Sequence, residues 1–178
     1  NPTEVQNSNR RGEQVGAKFI IVTHKQFKSA ADNLKVYKET QAPVTISTYV
    51  VEMEKIYNEF SCGITDPTAL RDYLKYAFDN WQIKPQYVLF FGKGTYDYKN
   101  IENYGDNFVP TWQSEESLAL INSYTTDDFF ARISGTDSDN IVRYDVLNKP
   151  GISNLFNIVI SMSDYQIGDI EERFIDKN

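Results

Sequence analysis

Apolar residues along the chain fall into short unbroken runs separated by stretches with helical spacing. Residues 18–23 form the first run, and residues 43–51 form a second that is rich in β-branched side chains, so both predict strands. Between them, apolar positions recur every three or four residues among Lys and Asp, which predicts an amphipathic helix over about 27–37. A strand, a helical crossover and a second strand together predict a right-handed parallel unit.

The same alternation continues toward the carboxyl end. Residues 52–60 predict a short helix, and Asp66 followed by Pro67 is a typical helix start, with a capping carboxylate and proline in the first turn. The helix that follows has one apolar face, which consists of Leu70, Tyr73, Leu74, Ala77, Phe78 and Trp81. Further strands are predicted at 86–92, 127–133 and 155–160, and a last helix at 167–175. The predicted fold is an α/β three-layer sandwich with about four mainly parallel strands, similar to a Rossmann-type half-domain.

Two segments lack this pattern. Residues 1–16 have almost no apolar side chain, so we predict a flexible leader or linker there and one α/β domain over residues 17–178. Residues 92–123 show no period and contain three glycines and one proline. Loops of this length are uncommon unless they serve a function, which makes this loop a candidate functional region.

Composition narrows the possible functions. The 178 residues carry 25 acidic against 18 basic side chains, a net charge of −7, which argues against nucleic acid as a partner. One His and one Cys exclude a disulfide framework and a metal site built from several histidines or cysteines. No apolar run has the roughly 18 residues that a membrane-spanning helix needs, and the first residues do not have the pattern of a signal peptide.

His24 and Cys62 are the residues that could form a nucleophilic dyad. His24 directly follows the first strand, at the carboxyl edge where open α/β sheets bind ligands. Cys62 precedes the helix that leads into the third strand, so we expect it near the amino edge, far from His24. Because buried structural cysteines are also the commoner case, we predict no catalytic residue in this chain.

Gly92-Lys93-Gly94-Thr95 follows the third strand and only partly resembles a phosphate-binding loop. The spacing of a P-loop and its Gly-Lys-Ser/Thr ending are absent, so tight turns with positive φ are the favoured explanation for the glycines.

Acidic residues in and after the long loop are weak calcium candidates. Their oxygens could serve an ion that takes six to eight oxygen ligands, although an EF-hand pattern is missing and a solvated acidic turn is favoured. The candidates are Asp97, Asp127, Asp128, Asp137 and Asp139. Arg132 and Arg143 could pair with them, and Trp112 and Tyr124 could fix the loop to the body of the domain.

Several segments, taken together and in order, resemble the gingipain-type cysteine peptidase family, in particular its branch of type IX secretion sortases. The matching stretches lie between residues 18 and 130: Ile20-Ile-Val-Thr-His24, Ile56-Tyr-Asn-Glu-Phe-Ser-Cys-Gly63, Asp66-Pro-Thr-Ala-Leu-Arg71, Tyr87-Val-Leu-Phe-Phe-Gly92, Gly94-Thr-Tyr-Asp-Tyr98, Val109-Pro-Thr111, Gln113-Ser114 and Thr126-Asp-Asp-Phe-Phe130. Lys93 stands where the family often has Asp, and Ser161-Met162 replaces its usual Gly-Arg pair.

The resemblance implies the amino-terminal half of a caspase-like catalytic unit. The family's catalytic His and Cys would then lie in a following half-domain, which is the expected partner, and neither His24 nor Cys62 matches their positions. The parent protein would process carboxy-terminal signals of secreted proteins at the bacterial surface, alongside other secretion proteins. Two alternatives remain open: a stand-alone binding module that uses a crevice near His24, Gly92 and Asp97, and an inactive pseudo-peptidase used for assembly contacts.

Overall fold

The structure is a computed structural model, and it describes residues 8–95, 97, 101, 103, 105–113, 125–131, 133 and 158–161. The predicted helix at 167–175 and the predicted acidic turn around Asp137 and Asp139 lie outside these residues, as do Tyr124, Arg132 and Arg143. No helix in the described part is both long enough and apolar enough to cross a membrane.

A four-stranded parallel sheet forms the centre of the fold. Its strands are β1 (Phe19–Thr23), β2 (Thr48–Glu52), β3 (Tyr87–Phe91) and a last strand at Ile158–Ser161, which we number β6. They lie in the order β2-β1-β3-β6, and every neighbouring pair is parallel. The predicted α/β fold with four parallel strands is confirmed.

Three helices connect or flank these strands. They are α1 (Lys28–Thr40), α2 (Met53–Phe60) and α3 (Pro67–Asn80), and a 3-10 turn at Lys25–Phe27 precedes α1. Asp66 caps α3 as predicted, because its carboxylate accepts a hydrogen bond from the N–H of Thr68 at 2.8 Å. Proline stands in the first turn of α3, where a missing N–H costs nothing.

The two faces of the sheet bury different sets of side chains. Alternate strand residues point to opposite faces, so Ile20 and Val22 join the larger core against α2 and α3, whereas Ile21 faces α1. In α3 the predicted apolar face is the buried one, with Leu70, Tyr73, Leu74 and Ala77 fully inaccessible. Because both faces of the sheet are buried, successive strand residues are apolar, which explains the unbroken apolar runs in the sequence.

The segment around residues 105–133 adds a second, smaller layer. It contains a two-stranded antiparallel ladder of β4 (Trp112–Gln113) and β5 (Thr125–Thr126), followed by the short helix α4 (Asp128–Ala131). The predicted strand at 127–133 is therefore wrong. A helical turn begins there because the N–H of Phe130 bonds back to the carbonyl of Asp127 at 3.0 Å. This turn lets Phe130 pack on Phe90 while Phe129 stacks on Trp112.

The described part of the predicted leader lies against the domain. A 3-10 turn at Arg10–Gly12 contacts α2, and the carbonyls of Gln14 and Val15 accept hydrogen bonds from Gln82 and Ile83. Gly16 has φ +69, and a Cβ there would come within 2.5 Å of the Trp81 ring, so glycine is required for this approach. Where the domain begins stays a prediction.

Candidate functional site at the carboxyl edge of the sheet

His24 lies where the sequence predicts it, immediately after β1 at the carboxyl edge of the sheet. Its Nδ1 accepts a hydrogen bond from the N–H of Gln26 at 3.3 Å, which caps the 3-10 turn. Its Nε2 lies 3.6 Å from Oε1 of Glu54, in the first turn of α2. Since Nδ1 accepts, the proton of a neutral ring is on Nε2 and faces the carboxylate.

Glu54 binds a second cation at the same edge. The ammonium of Lys25 lies 2.8 Å from Oε1 of Glu54, and this hydrogen bond and the carboxylate charge raise the pKa of Lys25. Sequence reasoning did not single out Glu54. The available signal was its place two residues after the end of β2, since carboxyl ends of neighbouring parallel strands meet at one edge.

Aromatic side chains close the space beside His24. The ring of Phe108 lies 5.1 Å from the His24 ring and 4.9 Å from that of Phe27, which also contacts Phe91 at 6.4 Å. The long loop thus returns to the sheet and covers part of the predicted crevice. Phe108 was not among the predicted site residues. It lies 84 positions after His24 in the chain, and no local sequence pattern links two residues so far apart.

Close packing explains both glycines after β3, and backbone conformation adds a second reason at Gly92. A Cβ on Gly92 would lie 3.0 Å from Cβ of Phe108, and one on Gly94 would lie 2.5 Å from Cγ2 of Thr111 and collide with the carbonyl oxygen of Val109. Gly92 has φ +159, a backbone conformation that residues with a side chain rarely adopt, whereas Gly94 has no positive φ. The expected positive φ is therefore found at Gly92 and not at Gly94. The glycines let the returning loop lie against the strand end.

Lys93 between these glycines serves the same packing through its backbone. Its carbonyl accepts hydrogen bonds from the N–H groups of Phe108 and Val109, at 2.8 and 3.2 Å. In the described part of the chain no helix begins directly after this turn, so the arrangement differs from a phosphate-binding loop.

Asp97 is buried, and its carboxylate and backbone N–H form hydrogen bonds with groups close to it in the chain. Its Oδ1 accepts a hydrogen bond from the N–H of Ile101 at 2.9 Å, and its own N–H donates to the hydroxyl of Thr95 at 3.2 Å. Among the described residues, no three His, Cys, Asp or Glu side chains are grouped to hold a metal ion. Asp127 is half-buried. The side chain of Asp128 and the residues Asp137 and Asp139 lie outside the described part of the structure. Calcium binding stays a prediction.

Cys62 lies in the turn that ends α2, with its side chain exposed and φ +53. Among the described residues, no contact joins it to His24, whose neighbours are Gln26, Glu54 and two phenylalanines. The structure therefore does not assemble the Cys/His pair that thiol chemistry needs. A histidine and a carboxylate in this arrangement can orient groups or transfer a proton.

Trp112 fixes the long loop, as the sequence predicts. Its ring stacks on Phe129 with centroids 3.8 Å apart, and the guanidinium of Arg71 lies 4.8 Å from the centroid of that same Phe129 ring. The loop is thus held to α3 through α4. At the carboxyl edge of the sheet, His24 after β1 thus lies beside Glu54 of α2 and Phe108 of the returning loop.

Comparison with known proteins identifies relatives for this arrangement. The model of Peptidase family C25, the gingipain family, matches residues 13–167, which is most of the chain. The structure is similar to the crystal structure of dimeric latent PorU from Porphyromonas gingivalis, with a TM-score of 0.65 and 26% identity. That match covers 93% of this chain but only 15% of the PorU chain. The resemblance drawn from the sequence motifs is confirmed.

A second similarity is short. Tryptophan–tRNA ligase 2 of Streptomyces avermitilis is 43% identical over 42 residues, which are 24% of this chain and 12% of the ligase. So small a share of either protein supports no conclusion about aminoacylation. The chain spans a small part of each of these two proteins.

Proposed function

Because this chain belongs to peptidase family C25, we propose that it is the non-catalytic amino-terminal subdomain of a PorU-like cysteine peptidase. The parent protein would act as a sortase that processes carboxy-terminal signals of proteins secreted by the type IX system. Its location would be the bacterial outer membrane surface or the extracellular space.

The likeness to PorU over nearly the whole chain is the observation that carries this proposal. The geometry at the carboxyl edge agrees with it. His24 is engaged by Gln26 and Glu54, and no thiol contacts it among the described residues. A peptidase needs its nucleophile and base within hydrogen-bond reach, so the chemistry would be supplied by residues outside this subdomain.

The expected partner is a carboxyl-side catalytic half-domain of the same protein. Strand β6 is the last strand of the described sheet on one side, so a following half-domain could continue the sheet there. The long loop, fixed by Trp112 and Phe130, would then help to shape the substrate cleft from this side. Contacts with other type IX secretion proteins would be made by the whole parent protein.

Peptide hydrolysis by the purified chain tests the proposal. We expect no cleavage of a panel of fluorogenic peptides, either by the chain or by its Cys62→Ala variant. Cleavage that disappears in Cys62→Ala would show that this chain has its own nucleophile and would refute the non-catalytic role. Co-expression with the downstream part of its natural reading frame should restore cleavage, and that activity should not depend on Cys62.

The alternatives predict other results. A pseudo-peptidase would stay inactive even with its downstream region. A stand-alone binding module would need an accessible crevice near His24, and the packing of Phe108 beside His24 and Gly92 reduces that space. For this reason we favour the peptidase subdomain over the binding module.

A further inference from the structure

Residues 8–12, here called the amino-terminal strap, lie against the carboxyl end of α2. The carboxylate of Glu59 accepts three hydrogen bonds from them, from the Ser8 hydroxyl and from the backbone N–H groups of Arg10 and Arg11. Two of these three donors belong to the backbone. Glu59 therefore holds the strap as a binding site holds a peptide, through groups that any sequence would offer.

Specificity comes from the two arginine side chains. The Arg11 guanidinium lies 4.7 Å from the centroid of the Phe60 ring and donates to the carbonyl of Glu59 at 3.2 Å. Arg10 donates to the hydroxyl of Tyr49, and the hydroxyl of Tyr76 donates to the carbonyl of Arg11. The two consecutive arginines thus have separate contacts: Arg11 with the Phe60 ring and Arg10 with the Tyr49 hydroxyl. A single basic residue could not make both.

The described strap contacts are exposed or partly buried, and none is fully buried. The Arg10–Gly12 turn contains no buried residue, and Arg11 is exposed. Asn9 before it adopts a left-handed conformation with φ +45. Charged contacts with this much exposure contribute little stability each, so release of the strap costs less than unfolding of the domain.

The layer beneath the strap contains polar groups that the strap leaves without partners. The Tyr73 hydroxyl and the Trp81 indole N–H are buried, and neither has a hydrogen-bond partner among the described residues. The Tyr73 ring lies 5.6 Å from that of Phe60, and the Trp81 ring lies 5.1 Å from that of Tyr49, so both buried residues pack against side chains that the strap contacts. An unpaired buried donor is unfavourable, so the contacts of the strap leave part of the polar groups of this layer unsatisfied.

We propose that Tyr49, Glu59, Phe60 and Tyr76 form a groove that binds a dibasic segment of another polypeptide, and that the strap occupies it as an intramolecular competitor. An Arg-Arg segment entering in trans would repeat the backbone contacts to Glu59 and the two arginine contacts. The negative charge of the chain, −7, favours a basic partner over an acidic one.

The test uses the full chain and a fluorescent, end-capped peptide with the strap sequence Ser-Asn-Arg-Arg-Gly. An Arg10→Ala/Arg11→Ala variant weakens the competitor, and we expect it to bind the peptide at least about tenfold more tightly than the unmodified chain, because the strap acts at high effective concentration. Adding Glu59→Gln to that variant should abolish binding. A peptide with Ala-Ala in place of Arg-Arg should not bind either chain.

Lys38→Ala/Lys84→Ala is the matched control, since it removes the same charge from lysines that lie over Phe19 and Phe78 and not over a groove residue, and it should leave the weak binding of the unmodified chain unchanged. If the double arginine variant unfolds, Arg11→Ala alone replaces it, because Arg11 is exposed. Equal binding of both peptides, or no gain in either strap variant, would overturn the proposal. A concentration-dependent dimer that the peptide dissociates would overturn the choice of a foreign partner in favour of the strap of a second copy.

Discussion

Phe130→Ala is the substitution that most directly tests how the long loop is attached to the sheet. Phe130 is fully buried, its ring centroid lies 5.2 Å from that of Phe90 on β3, and it belongs to the same core as α3. Phe129 beside it is only half-buried, between Trp112 and Arg71. The two neighbouring phenylalanines therefore provide a matched comparison at one place in the chain.

The expected costs differ because the environments differ. Truncation of a fully buried phenylalanine removes its transfer free energy and leaves a cavity, which together cost about 3–5 kcal/mol. Phe129→Ala loses one stacked ring pair, worth roughly 0.5–1.5 kcal/mol beyond its burial, and leaves no enclosed cavity. We expect a total of about 1–2 kcal/mol for Phe129→Ala.

Urea unfolding followed by far-ultraviolet circular dichroism measures the difference. With an m-value of about 2 kcal/mol/M, the midpoint should fall by about 2 M in Phe130→Ala and by less than about 1 M in Phe129→Ala. The m-value should stay constant, because the same surface is exposed on unfolding. Equal midpoints for the two variants, or a cost below about 1 kcal/mol for Phe130→Ala, would show that α4 is not part of the cooperative core.

Three further predictions concern single residues outside that core. Burial raises the pKa of Glu59, but the hydrogen bonds from Ser8, Arg10 and Arg11 lower it more, to below its ordinary 4.5. As the pH falls below 4.5 through the folded pKa, Glu59 becomes protonated and its stabilising contribution to folding is lost, so the melting temperature should fall. Glu59→Gln should remove that part of the pH dependence. Gly94→Ala should destabilise the chain by more than Gly63→Ala, where the added Cβ would make an ordinary contact of 3.6 Å with Oδ1 of Asn58 and only the φ of +83 is unfavourable; thermal melts of both variants compare them. Asp66→Ala should cost about 1 kcal/mol in urea unfolding through the lost α3 cap, whereas exposed Asp72→Ala should cost almost nothing.

Much of the fold follows from local pattern, because the strands are buried on both faces and the helices on one. Residues 86–92 contain only apolar side chains between Gln86 and Gly92, and the observed strand Tyr87–Phe91 lies within them. The start of α3 is fixed by Asp66 and Pro67, whose effect is local and chemical. Residues 127–133 misled the prediction because Phe129-Phe130 resembles a strand, whereas the capping carbonyl of Asp127 and two separate aromatic partners favour a helical turn.

The candidate site was less predictable, because its parts come from distant positions. His24 could be placed at a strand end from β1 alone, but Glu54 and Phe108 reach it only through the parallel pairing of β1 with β2 and the return of the long loop. The strap was predicted to be a leader because it has few apolar residues. Its attachment depends instead on hydrogen bonds to Glu59, and a hydropathy pattern does not record these.

The polar attachment of the strap and the aromatic attachment of the long loop lead to different expectations for the whole protein. The loop is held by a fully buried Phe130 and by stacked Trp112, so its position relative to the sheet should persist when a catalytic half-domain is added. The strap depends on the ionised carboxylate of Glu59 and on exposed Arg11, so salt, acid or a competing basic peptide should release it first. One small domain would thus have two different elements: the long loop, which shapes the proposed cleft, and the strap, which can be exchanged. They differ because buried aromatic contacts hold the loop strongly, whereas exposed charged contacts hold the strap weakly.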